Sequence, residues 1–263
     1  MKKYLELFRV IVEQYFVYRL NFVLWRFRVV LNLILIYSLW SAIYLNQKVI
    51  VGYSQTQMLT YVLLISFLSD FVLSSKIHEL GAEILTGDII NRLLKPWKFF
   101  GYLLTKEVAD KSINISFSII EIAVLLLLLK PQITPVPDVL AIFVMIIHVC
   151  IGLAISFFMS FSISLFAFWS AEIWAPRFIY FILVFVLAGN YFPLDILPKT
   201  FYNLLLVTPF PYFIFIPAQI YIKGLDNYNF LYLGIGLLWV LISYIFAKWL
   251  WNKGIKQYSF YGR

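Results

Sequence analysis

Three ionisable side chains stand inside long apolar runs of this sequence: Asp70, Glu121 and His148. A charge in the hydrocarbon core of a bilayer is costly, so such residues mark pathways, proton or ion relays, or pairs between helices. Asp70 lies about one helical turn from the end of its run and can reach the interface. Glu121 is midway along its run, the costliest place. It is a candidate relay carboxylate, or equally a protonated group hydrogen-bonded to a neighbouring helix. His148, also mid-run, reads as a packing residue before it reads as a ligand. Gly152, Ser156, Ser160 and Ser164 recur every four residues. That row lies along one helix ridge, where small side chains allow close approach and hydroxyls bond across. It suits packing within the chain or a seam with another subunit.

Other chemistries lack their residues. No G-x-x-x-x-G-K-[ST] loop is present to cradle a nucleotide phosphate. Neither an H-E-x-x-H pair nor a G-x-S-x-G nucleophile turn occurs. Histidine appears only at 78 and 148, and the single Cys150 rules out an internal disulfide or a cysteine metal cluster. The chain is expected to hold no cofactor or metal and to carry out no catalysis.

The elements that would position these residues follow from composition. Of 263 residues, 63% are hydrophobic and 13% charged, with a mean hydropathy of +0.89. A soluble domain is about half apolar and a quarter charged, so a soluble enzyme and a disordered chain are both excluded. At about 20 residues per crossing, the pattern predicts an all-α integral membrane protein with six transmembrane helices in one domain. Residues 1–28 form an interfacial helix, with Leu5, Phe8, Val12, Tyr15 and Phe16 at helical spacing. Nothing there resembles a cleavable signal. Spans 1 and 2 occupy 29–75 and spans 3 to 5 occupy 112–188, with a polar stretch at 76–111 between the two sets. Span 6 covers 230–251, and a basic tail runs from 252 to 263.

Region 189–229 stays apolar but is cut by Pro193, Pro198, Pro209, Pro211 and Pro217. Such backbone cannot face lipid, which predicts short re-entrant or outer-surface helices between spans 5 and 6. With both termini inside, 17 of the 21 Lys and Arg residues fall on the cytoplasmic side. This is the bias that orients membrane proteins, and it accounts for the net charge of +8 without a nucleic-acid partner. Aromatic residues such as Tyr191, Phe192, Tyr202 and Phe210 gather near the outer face, where they suit lipid contact, interfacial anchoring or an amphipathic cargo.

The polar stretch after span 2 is the most informative. Gly81 and Gly87 frame it, Asp88 starts a short helix and Pro96 stops it. Ile89, Ile90, Leu93 and Leu94 make an apolar stripe that can lie on the membrane or meet a cytoplasmic partner.

The Gly87-x-Ile89 and Leu93-Leu94-x-Pro96 spacings resemble the permease subunits of the ATP-binding-cassette type-2 exporter family. So do the run Gly189 to Leu194 followed by Pro198, and the Pro209-Phe210-Pro211-Tyr212 pair. The tail residues Trp251, Gly254, Tyr258 and Gly262 resemble a bacterial branch of that family. The resemblance covers essentially the whole chain. It implies a coupling helix between spans 2 and 3, two separate ATPase subunits carrying the ATP and Mg, and a second permease, identical or distinct. It also implies a bacterial inner-membrane location and transport by alternating access or extrusion between the permease halves. Glu83, Asp88, Ile89, Ile90, Arg92, Leu93 and Leu94 would then meet the ATPase. The rival reading is a gradient-driven secondary transporter or channel with Glu121 as ion relay. It would be supported by inverted repeats, and none stands out.

Overall fold

Apolar runs free of internal proline become long helices, and local capping sets where they begin. A computed structural model of the chain describes residues 2–95, 97–136 and 138–258. The expected helix stop at Pro96, the turn residue Pro137 and the tail residue Gly262 lie outside them. Eleven α-helices and one two-stranded hairpin occur among the described residues. They are α1 (Lys2–Val17), α2 (Arg19–Ile43), the hairpin of β1 (Val49–Ile50) and β2 (Tyr53–Ser54), and α3 (Gln55–Leu68), which a π-helical turn (Ser69–Leu73) prolongs. Then come α4 (Glu79–Thr86), α5 (Ile89–Leu93), α6 (Phe99–Leu129), α7 (Val139–Leu165) and α8 (Trp174–Leu187). Two short helices, α9 (Lys199–Val207) and α10 (Phe215–Lys223), precede α11 (Asn229–Gln257).

Ser54 starts α3 with a reciprocal cap, its hydroxyl accepting from the Gln57 amide at 3.2 Å while the Gln57 side chain accepts from the Ser54 amide at 3.0 Å. Asp138 caps α7. The left-handed Gly87, at φ 84°, separates α4 from α5, so the stretch expected to hold one short helix after Asp88 holds a second before it.

Among the described residues five helices are long and apolar enough to cross a membrane: α2, α3 with its π turn, α6, α7 with the turn after it, and α11. The expected span 5 is the 14-residue α8, about 21 Å long against a hydrocarbon core of about 30 Å. Outward faces are richly apolar, as at Leu35, Leu127 and Phe230. Water would not tolerate such surface on a folded monomer.

The helix ends differ from the composition boundaries for one physical reason. A charge that finds a partner need not stay at the interface. So α2 begins at Arg19, with Arg26 inside it, ten residues before the expected start of span 1. Likewise α6 begins at Phe99 and carries Lys106, Glu107 and Lys111 as buried members of ion pairs and Asp110 as a buried acceptor from Tyr15. On α1 the expected stripe divides. Phe8, Val12 and Tyr15 are half-buried, whereas Leu5 and Phe16 face outward, and the buried residue of the helix is Ile11, outside that stripe.

The central post is α7, against which α11, α10 and α4 pack. One core joins Tyr61, Ile65 and Leu68 of α3 to Ile155 of α7 and to Phe215 and Ile216 of α10. A second core lies at the end where α4 and α5 sit, built from Ile77, Leu80, Ile84, Ile89, Phe161 and Leu250. The irregular stretch after α8 has its carbonyls answered by side chains. The Tyr61 hydroxyl donates to the Gly189 oxygen at 2.6 Å, and the Trp40 indole donates to the Tyr191 oxygen at 3.0 Å. That satisfies backbone which lipid would leave unpaired.

Candidate functional site

At the charged end, α4 and α5 form a bracket fixed to three helices. Glu79 and Glu83 of α4 reach Lys106 of α6 at 2.7 and 3.2 Å, Lys76 pairs with Glu79 at 3.1 Å, and Arg92 of α5 returns to Glu83 at 3.7 Å. Burial alone would raise the Glu79 carboxyl, but Lys106 and Lys76 overcome it and hold its pKa below the ordinary carboxylate value. On α7, the Ser164 hydroxyl donates to the Ile77 oxygen at 3.0 Å. Gly81 lies so close that a Cβ there would sit 2.6 Å from the Ile173 side chain. From the end of α11, the Tyr258 hydroxyl donates to the Ile84 oxygen at 2.9 Å.

Of the expected apolar stripe, Ile89 is fully buried and Ile90 partly so, while Leu93 and Leu94 point outward, Leu94 at 79% exposure. The bracket therefore has an inner face bound to the membrane helices and an outer face with leucines on it. Asp88 stands at the start of α5, its carboxylate accepting from the Thr86 hydroxyl at 2.8 Å. Beside the bracket, burial and then the nearby Arg177 push the His78 imidazole down to about 4.

Behind this bracket the π turn joins it to α3. A helix end leaves its last carbonyls unpaired, and Lys111 of α6 collects those of Phe71, Val72 and Ser74 at 2.8, 3.2 and 2.9 Å. Glu107 completes the arrangement, pairing with Lys111 at 3.2 Å and accepting from Ser75 at 2.9 Å.

Deeper in, the structure brings Asp70 and Glu121 together around a residue the sequence grouped with the interface, Arg26. Its guanidinium donates to Asp70 at 2.8 Å and from Nε to Glu121 at 2.6 Å, while its Nη2 holds the other Glu121 oxygen and reaches Ser118 at 3.1 Å. Ser118 in turn donates to Asp70 at 2.6 Å. Arg26 is 5% exposed. One planar fork thus ties α2, α3 and α6, and its bidentate geometry is the strong form of such contacts. Arg26 was legible only as a lone cation flanked by Phe22 to Trp25 and Phe27, facing two unpaired carboxylates elsewhere.

His148 and the small-residue row lie elsewhere. The His148 Nδ1 pairs with the Val144 oxygen at 2.9 Å on its own helix. Gly152 is where α7 meets backbone, since a Cβ there would sit 2.5 Å from the Phe213 oxygen. Ser156, Ser160 and Ser164 are all buried within the chain. The row packs internally.

At the opposite end, Tyr53 donates to both Asp195 oxygens at 2.8 and 2.9 Å, and Lys223 pairs with the same carboxylate. Among the described residues no group of three or more His, Cys, Asp or Glu is placed to hold a metal.

A bracket secured to the long helices with Leu93 and Leu94 on its outer face, on a bundle whose buried Arg26 is neutralised by Asp70 and Glu121, suits a membrane subunit driven from outside. Comparison with known families agrees, because the model of the ABC-2 family transporter protein matches residues 30–262. The chain belongs to the ABC-2 transporter family. No curated protein matches it. Membership makes it a multi-pass membrane permease of an ABC transporter, a transport subunit that works with ABC ATPase subunits.

Proposed function

We propose that this permease forms the translocation path of an ATP-driven exporter and draws its power from two separate ATPase subunits seated against α4 and α5. The carrying observation is the two-faced bracket. Its inner face is bound by Lys106, Ser164 and Tyr258, and its outer face offers Leu93 and Leu94. Glu83, Asp88, Ile89, Ile90 and Arg92 shape and brace the docking surface. When ATP closes the partner dimer, displacement of the bracket passes to α3 through the π turn, to α7 through Ser164 and to α11 through Tyr258. A change of state needs contacts that differ between the two states, and the outward leucines are free to supply them.

The topology we infer has six crossings, with α8 and the chain through Pro193 completing the fifth, and both termini cytoplasmic in a bacterial inner membrane. The charge bias supports that orientation. A second permease, identical or distinct, would cover outward apolar faces such as those of Trp174 and Phe178 on α8. The cargo class is an amphiphile such as a peptide, lipid or glycolipid, in keeping with the aromatic residues near Tyr191. A relay at Glu121 finds no support in the geometry, since both of its oxygens are engaged by Arg26.

The test is purification from the native membrane. A soluble ATPase carrying a phosphate loop is expected to accompany the chain, and the chain alone in vesicles is expected to hydrolyse no ATP. Gradient-driven uphill transport by the lone chain would overturn the proposal.

A further inference from the structure

Between the last turn of α1, the first half of α2 and the middle of α6 runs a groove of about 430 Å³, inside the size range of small-ligand sites. Its walls are apolar, with Phe22, Val23, Phe27 and Val30 of α2 facing Phe117 of α6. Two arginines border it. Arg26 is consumed by Asp70 and Glu121 at the groove's floor. Arg19, the first residue of α2, is exposed, and its side chain makes no ion pair or hydrogen bond among the described residues. The one uncommitted charge of the groove among the described residues is therefore positive and sits where the turn at Tyr18 separates α1 from α2, at the groove's mouth.

The dimensions decide the occupant. From Arg19 to Val30 the helix advances about 17 Å, close to half of the about 30 Å hydrocarbon core. That is the depth of one leaflet. An apolar slot one leaflet deep with a lone guanidinium at its mouth matches a single acyl chain under an anionic headgroup. Arginine forks bind phosphate oxygens in pairs, and basic residues at the surface favour anionic lipid.

We propose that this groove is a binding site for one anionic phospholipid of the surrounding membrane, its phosphate on Arg19 and one acyl chain laid along Val23, Phe27 and Phe117. The lipid would fill the gap between α1, α2 and α6 beside the Arg26 clamp, making the outer wall of that clamp a lipid chain.

The full chain, reconstituted in bilayers of equal phosphatidylglycerol and phosphatidylcholine and then released into the mass spectrometer under native conditions, tests this. The wild type is expected to retain one phosphatidylglycerol in preference to phosphatidylcholine. Arg19→Gln is expected to cut that retention about fivefold, the effect of one basic residue near an anionic surface. Arg28→Gln serves as the charge control, because Arg28 lies over the Trp25 ring at 4.0 Å and outside the groove; it is expected to leave retention unchanged. Val23→Trp, which fills the slot, is expected to lower retention of both lipids. Equal retention of the two lipids by the wild type would overturn the proposal. So would an unaffected Arg19→Gln, an Arg28→Gln loss as large as that of Arg19→Gln, or full retention in Val23→Trp. Arg19 and Val23 both face outward, so a change at either is read on a folded chain.

Discussion

The molecule holds two ionic assemblies built from similar residues, and they differ in slack. Around Arg26, three helices meet at one guanidinium, with every carboxylate held by short bonds and the arginine almost wholly buried. Around Lys106 the assembly is wetter and ends in a loose pair: Glu79 meets Lys106 at 2.7 Å but its side chain is half exposed, and Arg92 lies 3.7 Å from Glu83. Buried pairs are expensive to break one-sidedly, whereas exposed ones contribute little and exchange readily. In the mechanism proposed above, the first assembly would serve as the rivet and the second as the hinge. A subunit that must transmit motion needs both, a rigid bundle and a bracket able to shift against it.

That contrast is open to attack by mutation. The largest effect is expected from Arg26→Met, which leaves Asp70 and Glu121 buried without a counter-charge and costs about 3–5 kcal/mol. Thermal unfolding in detergent measures it. Combining it with Asp70→Asn and Glu121→Gln removes the stranded charges and is expected to recover most of the loss. A triple variant no better than the single would mean that the rivet is not electrostatic.

Acid should loosen the bracket next. The folded imidazole of His78 sits at about 4 against an ordinary value of 6.5. Between those values the opened form takes up a proton that the folded form refuses. Stability of this end is therefore full above pH 6.5 and falls as pH drops towards 4, by at most about 3 kcal/mol. Glu79 acts in the same direction: its contribution is present above the ordinary carboxylate value and is lost as pH falls through its lowered one. Amide exchange at Ile77 to Ile84 reports it, and His78→Leu is expected to remove the step due to that ring.

Gly152→Ala follows, at about 1–3 kcal/mol, because the added methyl meets backbone at Phe213 that cannot swing aside. The smallest effect is Tyr258→Phe, about 0.5–1.5 kcal/mol, seen as faster exchange in α4 with the melting of the long helices unchanged. An equal shift in both would show that bracket and bundle unfold as one unit.

Much of this was readable along the chain. Glu121 and Asp70 declare themselves because a carboxylate in an apolar run has no one-dimensional excuse. The proline spacing of 189–229 announces irregular backbone, and Asp88 with Gly87 marks the start of a short helix. What escaped is pairing across sequence distance. Arg26 lies 95 positions from Glu121, and local composition assigns it to the surface. Lys106 and Lys111 were hidden for the same reason: their burial depends on Glu79, Glu83 and the loose carbonyls of the π turn, none of which periodicity registers. The end of α8 at Leu187 was legible, but its start at Trp174 was not, because Ser170 to Arg177 reads as a polar turn. Tyr61 and Trp40, reaching from other helices, satisfy carbonyls of the non-helical continuation.

The most direct test of the central claim is Leu94→Asp, assayed for ATPase capture and for transport in the same membranes. Leu94 touches little of its own chain, so the variant is expected to insert and melt within about 0.5 kcal/mol of wild type while losing its ATPase partner and all ATP-dependent transport. A Leu94→Asp chain that keeps its ATPase and transports at the wild-type rate would contradict the claim that power enters through this face.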